Sequence, residues 1–582
     1  MKSMTCLFCL VLCLGFSMEL LAQKDTSINI GATFEGERIN QLRDASKLTT
    51  WPEIKEQEVP MTSIKYTTLP TRKLPSSDPR LITAARINVD EKLQKLYRGY
   101  IKAGYGSYFT PLIDTYYTDG RSRKGTFGLH YQHLSSAGGV TPNDKDSIPD
   151  NYSDNKFELW AKYFWNKTTL LGSLNWERNL THWYGFDNVL NPAGEGAMST
   201  LRQRLNTIGG SVSYMTYARD TGDFNYRFDL SLRNTRDLFN GSETNVDWLA
   251  HGRKLVDNEL YLADIGINYN NFDFFGPNMR YDGTLVFDDG DFRKRSFDNA
   301  VIRLVPQVQT IWNDLRVKVG MGLYIEARGD SPGHFYPLAE VAYNLFKGVV
   351  VPYAGVRGSV EPGTYLGLYR ENPWIHQFPD LRNLNNRLEL YAGIGGAISR
   401  SVSYNAGVNH HDYGNFAYFV NDSLFSVGNQ FVVVYDNLKA LDIHGELAIY
   451  SGEKWKAHLR GDYFIYTVGA ETHPWHQPFI KFAGGGQYSL KKKIIISSDI
   501  FLIGKRWAKS NVPVEDVVAQ EDGSYQFELK PIVDFNLKIE YRYNKRLSGW
   551  VQFDNMLAVK YQRWSGYRAQ QFLGMMGVTY AF

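Results

Sequence analysis

The strongest constraint on this chain is an alternation of apolar and polar side chains with a period of two residues. In residues 224–233, apolar side chains from Phe224 to Leu232 alternate with Asn, Arg, Asp and Ser side chains. Residues 533–543 alternate in the same way, from Val533 to Tyr543. Because successive side chains of a β-strand point to opposite faces, the pattern predicts strands with one apolar and one polar face.

These alternating segments are long for the strands of a soluble sheet. Soluble strands have a typical length of about 5–6 residues, whereas several segments here continue for roughly ten residues, which a tilted strand needs to cross a bilayer. Full charges recur on the polar face, as expected where one side of a strand faces a wet lumen and the other faces lipid. The sequence therefore predicts an all-β fold, a large antiparallel transmembrane β-barrel.

Alternation and turn residues together predict 22 strands, an even number. The predicted strands cover residues 97–108, 112–119, 126–136, 156–165, 169–179, 204–217, 224–235, 257–271, 279–288, 297–311, 315–327, 335–345, 349–360, 386–398, 402–419, 430–450, 455–467, 478–490, 494–507, 524–543, 546–558 and 568–582.

The predicted connections sort by length between the two ends of the barrel. Connections after even-numbered strands are mostly short, whereas five connections after odd-numbered strands are long: 137–155, 180–203, 236–256, 361–385 and 508–523. Short periplasmic turns and longer outer loops are typical of outer-membrane barrels, and an even strand count leaves both termini on the periplasmic side.

The N-terminus reads as a secretory signal peptide over residues 1–22. Lys2 precedes an apolar stretch from Thr5 to Phe16 that is too short to span a bilayer, and a small residue, Ala22, stands before Gln23. We expect cleavage between Ala22 and Gln23. All three cysteines lie inside this segment, so the mature chain is expected to have no disulfide and no thiolate site.

Residues 23–96 form a polar segment that contains prolines at 52, 60, 70, 75 and 79. Proline disfavours both a long helix and a central strand. We interpret this segment as an extended or loosely folded region, either in the periplasm or threaded into the lumen. It is either a small plug or partner-docking tether, or a linker. The barrel itself is expected to occupy residues 97–582.

The last strand carries a predicted signal for barrel assembly. Four apolar side chains alternate with small residues, and the chain ends on the last of them: Met576, Val578, Tyr580 and Phe582. This pattern resembles the C-terminal signal that outer-membrane proteins present to the barrel-assembly machinery. We therefore expect that machinery and outer-membrane lipid as partners.

Composition agrees with an outer-membrane location and excludes other classes. The formal net charge is only +3, which argues against nucleic-acid binding through bulk charge. Aromatic residues make up 14% of the chain, as expected where aromatic girdles mark both membrane interfaces. After residue 22 no apolar run is long enough for a transmembrane helix.

The chain resembles the barrel part of TonB-dependent receptors. The resemblance is clearest in PDLRNLNNRLELYAGIGGAISRSVSYNAGVNHHDYGNFAYFVND at 379–422 and FVVVYDNLKALDIHGELAIYSGEKWKAHLRGDYF at 431–464, and extends loosely over the barrel without a specific motif. It implies transport of a solute across the outer membrane. The alternative is a non-transporting scaffold, or a subunit of an outer-membrane assembly or secretion complex with periplasmic or surface lipoprotein partners.

The chain departs from these receptors at its N-terminus. Receptors of this family carry a full plug domain and a TonB-contact box, whereas only residues 23–96 precede the first strand here, without a convincing box. This departure argues against coupling to TonB. Because an empty barrel of this size would leak, we expect the lumen to be filled by residues 23–96, by inward-folded loops such as 361–385, or by a partner.

No catalytic residue, cofactor or metal site is predicted, and the chain is not expected to be an enzyme. His473 and His476 resemble a metal pair but lack a third ligand nearby, and aspartates of loop 137–155 equally suit a solvated loop. The charges expected to face the lumen are of mixed sign, which favours internal ion pairs over an anion pore. They are Arg227, Asp229, Arg233, Lys456, Arg460, Asp462, Asp534, Lys538, Glu540 and Arg542.

Overall fold

Twenty-two antiparallel strands form a closed ring in the computed structural model. The structure describes residues 97–120, 122, 124–140, 149–185, 201–216, 223–276, 293–328, 332–422, 426, 428–452, 454–511, 513–514 and 517–582, with the backbone of 278–279 and 285–286. The predicted signal peptide with its Ala22–Gln23 cleavage site, and the segment 23–96, lie outside the described residues.

Each strand of the ring pairs with its neighbours in the sequence of barrel strands. The strands are β1 (Gly99–Gly106), β2 (Thr110–Thr118), β3 (Gly125–Ser136), β4 (Tyr152–Phe164), β5 (Thr168–His182), β6 (Arg202–Thr216), β7 (Asn225–Arg236), β8 (Ser242–Val256), β9 (Glu259–Gly276), β10 (Arg293–Trp312), β11 (Leu315–Glu326), β12 (Gly333–Tyr343), β13 (Val351–Glu361), β14 (Leu384–Ser399), β15 (Val402–Asn421), β16 (Phe431–Ser451), β17 (Trp455–Val468), β18 (Ile480–Leu490), β19 (Ile494–Ile503), β20 (Ile532–Arg542), β21 (Leu547–Asp554) and β22 (Leu573–Ala581).

The first and last strands close the ring. They pair antiparallel from Tyr100 opposite Ala581 to Gly106 opposite Met575. Beyond the last strand, the Phe582 amide donates to the Gly99 carbonyl at 2.9 Å and the Phe582 carbonyl accepts from Arg98 at 2.7 Å. Closure leaves no free sheet edge in the ring, which a membrane requires because lipid cannot hydrogen-bond an exposed backbone.

Elements outside the ring are short. The helix α1 covers Tyr365–Glu371, a 3₁₀ turn covers Phe346–Gly348, and a hairpin pairs Arg506–Ser510 with Tyr525–Leu529. Two further strand pairs join Gln562–Trp564 to Tyr567–Arg568 and Asn278–Met279 to Leu285–Val286. Across the described ranges, no helix is long and apolar enough to cross a membrane.

The predicted fold and strand number are confirmed, but two of the strand assignments are wrong. Residues 242–256, predicted inside a long loop, form β8, whereas residues 279 and 285–286, the described part of the strand predicted at 279–288, lie outside the ring. The two errors cancel in the count. β8 escaped prediction because hydrophilic residues dominate its first half, from Ser242 to Asp247, where no clear apolar face appears. The predicted strand 524–543 is also two elements, the edge of the hairpin and β20.

The connections sort by length as the sequence predicted. Those after even-numbered strands are short, and the longest of them is 217–224. Those after odd-numbered strands include 183–201, 362–383, 504–531 and 555–572. The long-loop end is therefore the outer end, and the termini of the ring lie at the periplasmic end.

The two faces of the ring differ in polarity. Apolar side chains that point outward are widely exposed, among them Leu174, Ile208, Leu232, Ile302, Val319 and Ile443. Exposed aromatic side chains border the belt at the short-turn end, among them Trp165, Phe224, Trp312, Phe346, Trp455 and Tyr543. An apolar outer belt with an aromatic girdle suits a lipid environment. The chain is an outer-membrane β-barrel.

We predict that Phe582→Ala lowers the yield of assembled barrel severalfold. The Phe582 ring stacks 6.3 Å from Tyr117, and a Cβ on Gly99 would come within 2.9 Å of it, so Gly99 makes room for this ring. Heat-modifiable migration of outer-membrane fractions on gels measures assembly. Phe572→Ala, an exposed phenylalanine outside the strands, is the matched control. Normal assembly of Phe582→Ala would contradict the predicted signal.

Candidate functional site

The connection 362–383, which follows β13 at the outer end, contacts strands on both sides of the ring and is here called the crossing loop. It contains α1, which begins after Thr364 because the Thr364 hydroxyl accepts a hydrogen bond from the Gly367 amide at 3.1 Å. The helix ends at Asn372, and Pro373 follows, which cannot continue a helix. The crossing loop is thus a short, well-defined element.

A carboxylate from the barrel wall binds the N-terminus of α1. Glu243 of β8 accepts hydrogen bonds from the Tyr365 amide at 2.6 Å and the Leu366 amide at 3.0 Å. Asn270 of β9 donates to the same carboxylate at 3.0 Å. Free amides and the helix dipole at an N-terminus favour an anion, so Glu243 both satisfies the helix end and fixes it to the wall.

The C-terminal half of the crossing loop joins strands from opposite sides of the ring. The Trp374 indole donates to the carbonyl of His182, the last residue of β5, at 3.1 Å. The Trp374 carbonyl accepts from Phe431, the first residue of β16, at 3.0 Å, and the His376 amide returns a hydrogen bond to Phe431 at 3.1 Å. Because β5 and β16 are half a turn apart in a ring of 22 strands, the loop crosses the outer mouth.

An apolar core forms around the crossing loop inside the ring. Inward side chains of β6, β9, β10, β15 and β16 pack against buried side chains of the loop. Its buried aromatic members are Phe272, Phe274, Phe297, Tyr365, Tyr369, Phe378, Phe419, Phe431, Trp564 and Tyr567. Water-filled lumens are lined by polar groups, so a continuous apolar core across the mouth excludes water there.

A second loop, 555–572, packs against the crossing loop. The Tyr567 ring stacks on Trp374 at 4.0 Å, and its hydroxyl donates to the Asn429 carbonyl. The Tyr184 hydroxyl donates to the Arg568 carbonyl at 2.9 Å. Loops that follow β5, β15 and β21 therefore meet at one point, and the crossing loop cannot leave without breaking these contacts.

A buried arginine supports this junction from the hairpin. Arg506 is 2% exposed and donates to the carbonyls of Gln562 at 2.8 Å, Arg563 at 2.8 Å and Lys530 at 3.1 Å. Burial, followed by the nearby Arg563, lowers the pKa of Arg506 to about 10, so the guanidinium stays charged at neutral pH. Its charge is balanced by carbonyl dipoles rather than by a carboxylate within the described contacts.

Two histidines are buried in the closed mouth. Burial lowers the pKa of His476 to about 3, with a further contribution from Arg506. Burial also lowers the pKa of His376 to about 4, against the opposing field of Asp422. The His476 Nε2 faces the Ser565 amide at 3.4 Å, so the neutral imidazole acts as an acceptor.

A polar cavity of about 540 Å³ lies beside the crossing loop at the outer end of β11–β16. His334 contacts Glu326 at 2.6 Å, and the Tyr336 hydroxyl donates to Asn385 at 2.6 Å. The cavity shares Glu326 with the loop, since Asn383 donates to the second oxygen of that carboxylate at 2.5 Å. Movement of the crossing loop would therefore alter the wall of this cavity.

Six of the ten residues predicted to face the lumen form ion pairs with a residue two positions away on the same strand. Arg227 contacts Asp229 at 2.8 Å, and Arg460 contacts Asp462 at 2.9 Å. The remaining contacts are Arg542–Glu540 at 3.2 Å, Arg233–Asn245 at 3.4 Å, Tyr561–Asp534 at 2.7 Å and Lys538 over the Trp550 ring at 5.9 Å; Lys456 lies opposite Gln487. They do not converge into one site with the crossing loop.

The predicted assembly-signal residues, Met576, Val578, Tyr580 and Phe582, are all exposed on the outer face. The two histidines of the loop after β17 point to different surroundings. His473 packs 4.2 Å from Trp507, whereas His476 packs 4.8 Å from Trp564. Among the described residues, no three His, Cys, Asp or Glu side chains are grouped to hold a metal. Of the four aspartates of loop 137–155, Asp144 and Asp146 lie outside the described residues.

Comparisons identify the fold but not a family. No family model and no curated protein matches the sequence. Solved structures do match. The FrpB iron transporter of Neisseria meningitidis aligns at a TM-score of 0.62 with 8% identity, over 84% of this chain and 82% of that one. The siderophore receptor PirA of Acinetobacter baumannii aligns at 0.61 with 8% identity, over 84% and 81%.

The ferripyoverdine receptor of the Pseudomonas aeruginosa outer membrane aligns at a TM-score of 0.60 with 11% identity, over 84% of this chain and 72% of that one. At such identities the likeness concerns the fold alone. It agrees with the receptor-like barrel expected from the sequence. What these proteins bind does not transfer to this chain by similarity.

We predict that Glu243→Ala loosens the crossing loop. Loss of the carboxylate leaves the buried Tyr365 and Leu366 amides unsatisfied, at a cost of about 1–3 kcal/mol each. Hydrogen exchange of residues 364–376 should rise at least tenfold. The control is Glu177→Ala, because the Arg370–Glu177 pair at 2.8 Å joins the same helix through a half-exposed arginine. Equal exchange in the two variants would count against the proposed clamp.

We predict that acid loosens the closed mouth. When the loop is open, His476 takes up a proton near the ordinary histidine pKa of about 6.5. In the closed form, the pKa of His476 is about 3, so the imidazole stays neutral until the pH falls to that value. Closure therefore loses stability as the pH falls below about 6.5, by about 2 kcal/mol at pH 5. Hydrogen exchange of residues 562–568 at pH 7 and pH 5, normalised for intrinsic rates, measures the loss.

The matched variants for the acid effect are His476→Phe and His473→Phe. Phenylalanine at 476 keeps a ring against Trp564 but removes the titrating group, so the excess opening at pH 5 should shrink, while His473→Phe should retain most of it. Burial raises the pKa of Asp237 and of Glu371, and these groups act in the opposite sense. A His476→Phe profile equal to wild type would refute the role of this imidazole.

Proposed function

We propose that this barrel transports a solute across the outer membrane and that the crossing loop is its outer gate. The observation that carries the proposal is the bridge that residues 374–376 make between β5 and β16. A barrel of 22 strands encloses more space than its own inward side chains fill. A chain that served only as a wall would have no need for a separate element across its mouth.

The polar cavity beside the gate supports the same function. Its lining offers donors and acceptors from Arg387, Asn385, Tyr336 and Asp436, and it shares Glu326 with the crossing loop. A solute held there would contact the wall that moves when the loop moves. Binding and gating are then coupled through a common carboxylate, which is the physical requirement for a ligand to shift a gate.

The solved structures with this fold are named as receptors and a transporter for iron or siderophores. Their names support transport over the alternative, a scaffold or subunit of an assembly or secretion complex with lipoprotein partners. They also agree with the expectation that the chain is not an enzyme.

We propose further that residues 23–96 close the lumen together with the crossing loop. The crossing loop, as described above, occupies the outer mouth only. β1 begins at the periplasmic end and follows this segment directly in the sequence. Two closures in series would hold the barrel shut, one formed by each of these segments.

We predict that removal of both segments opens a stable conducting pore. Four chains are compared in planar bilayers: the mature chain, a chain without residues 23–96, a chain with 364–382 replaced by a Gly-Ser linker, and the double variant. The double variant should conduct continuously, and the mature chain should be closed most of the time. Replacement of 142–148, another stretch of the long-loop end, is the control and should leave the barrel closed.

A double variant as impermeable as the mature chain would overturn the transport proposal. The scaffold hypothesis would then be tested with protein purified from native outer membrane. The protein would carry an internal tag at 142–148, so that Phe582 stays free. Mass spectrometry would identify envelope proteins retained in stoichiometric amounts. A scaffold must retain such partners, whereas a transporter that conducts can purify alone.

A further inference from the structure

Four arginines form a cluster on the outer surface of β5–β7, here called the arginine rim: Arg178, Arg202, Arg204 and Arg236. Strand register places them on one face. Arg178 and Arg236 both pair with Asn206, while Leu180 pairs with Arg204 and His182 with Arg202. Even-numbered residues of these strands point outward, since Leu174, Ile208 and Leu232 are 60%, 64% and 52% exposed. The guanidinium groups therefore project from the outside of the barrel.

The rim lies at the boundary of the apolar belt. Toward the periplasm, the next outward residues are Trp176 below Arg178, and Ile208 below Asn206. Toward the outer end, β5 finishes at His182 and β6 begins at Arg202. Because long loops mark the cell-surface end, the rim stands at the headgroup level of the outer leaflet.

No described carboxylate forms an ion pair with any of the four arginines, although ion pairs are common elsewhere on these strands. The outward partners at this level are uncharged: Asn155 on β4, Asn206 on β6, Asn234 on β7 and Thr244 on β8. Acidic side chains of the same strands, such as Glu177 and Asp229, have the opposite parity and point inward. The positive charge is thus concentrated on the outer face.

The arginine rim also has unused hydrogen-bond donors. The Arg204 Nε is buried without an acceptor within the described structure. The Arg236 Nε donates only to Asn234, its neighbour on the same strand, at 3.1 Å. A buried guanidinium nitrogen without an acceptor is costly, so Arg204 favours a further acceptor beyond those that the described residues supply.

Another arc of the same rim has a balanced charge. On the outward faces of β9 and β10, Lys294 contacts Asp273 at 3.0 Å, and Asp298 accepts from Tyr269 and Asn271. These strands extend above the membrane and need no external counter-ion. The excess of arginine is therefore a property of the β5–β7 arc and not of the whole circumference.

We propose that the arginine rim binds the phosphate groups of an outer-leaflet lipid with a phosphorylated headgroup. The guanidinium fork matches phosphate oxygens in a bidentate manner, and several arginines in one patch can hold more than one phosphate. The outward Trp176, Ile208 and Leu232 would contact the acyl chains below. The location at the lipid boundary favours a lipid over a free anion. This binding does not depend on the proposed transport function.

The test measures affinity for lipid A, a bis-phosphorylated diglucosamine lipid, and for the same lipid after removal of its phosphates. The full mature chain in detergent micelles is titrated with each lipid. The wild type should bind the phosphorylated lipid at least tenfold more tightly. Arg178→Gln/Arg204→Gln/Arg236→Gln should weaken that binding roughly 100-fold, since each arginine near an anionic surface contributes about fivefold. The variant should bind the dephosphorylated lipid as the wild type does.

Lys294→Gln on the same outer surface is the matched control and should change the affinity less than twofold. Equal affinity of the wild type for the two lipids would overturn the proposal. This comparison needs no variant, so it remains decisive even where the triple variant fails to fold. Undiminished binding by a folded triple variant would overturn it as well. Displacement of the lipid by equimolar inorganic phosphate would show a free-anion site and refute the lipid assignment.

Discussion

Closure of the strand ring between β1 and β22 is the constraint on which the rest of this structure depends. In lipid, every backbone amide and carbonyl must find its partner within the protein, and an open edge would leave a row of them unpaired. The final residue completes this seam, because Phe582 pairs with Gly99 and its ring occupies the space that the glycine leaves. Once the ring is closed, the alternation of side chains fixes what faces lipid and what faces the lumen.

A closed ring of this size creates a second problem, since its interior is wider than its own side chains can fill. The crossing loop solves it at the outer end by an interaction between remote segments. Glu243 holds the start of α1 on one wall, and Trp374 joins β5 to β16 across the opening. The mouth is thus held by a few buried polar contacts inside an apolar core, which makes closure both specific and sensitive to the charge state of His376 and His476.

The sequence was sufficient for the fold because the fold rests on a local rule. Period-two alternation predicted the strand class, the even count and the sorting of loops by length. It failed at β8, whose polar first half resembles a loop, and it also misassigned 279–288 and merged two elements in 524–543. The contacts of the crossing loop could not be predicted from the sequence, because they join segments that are remote in the chain. Glu243 lies in that missed strand, and nothing local distinguishes it from any other acidic residue. Trp374 acts as a bridge only because β5 and β16 face each other in a closed ring, and this is a relation in space.

The distribution of arginines separates two kinds of constraint on such a barrel. Among the charges predicted to face the lumen, Arg227 and Arg460 have carboxylates two residues away, which neutralise them locally. Outside, the arginine rim on β5–β7 has no such partners among the described residues. Burial of an unpaired charge is expensive and exposure to lipid hydrocarbon more so. The lipid phosphates proposed above would supply the counter-charge for such a rim at the membrane boundary.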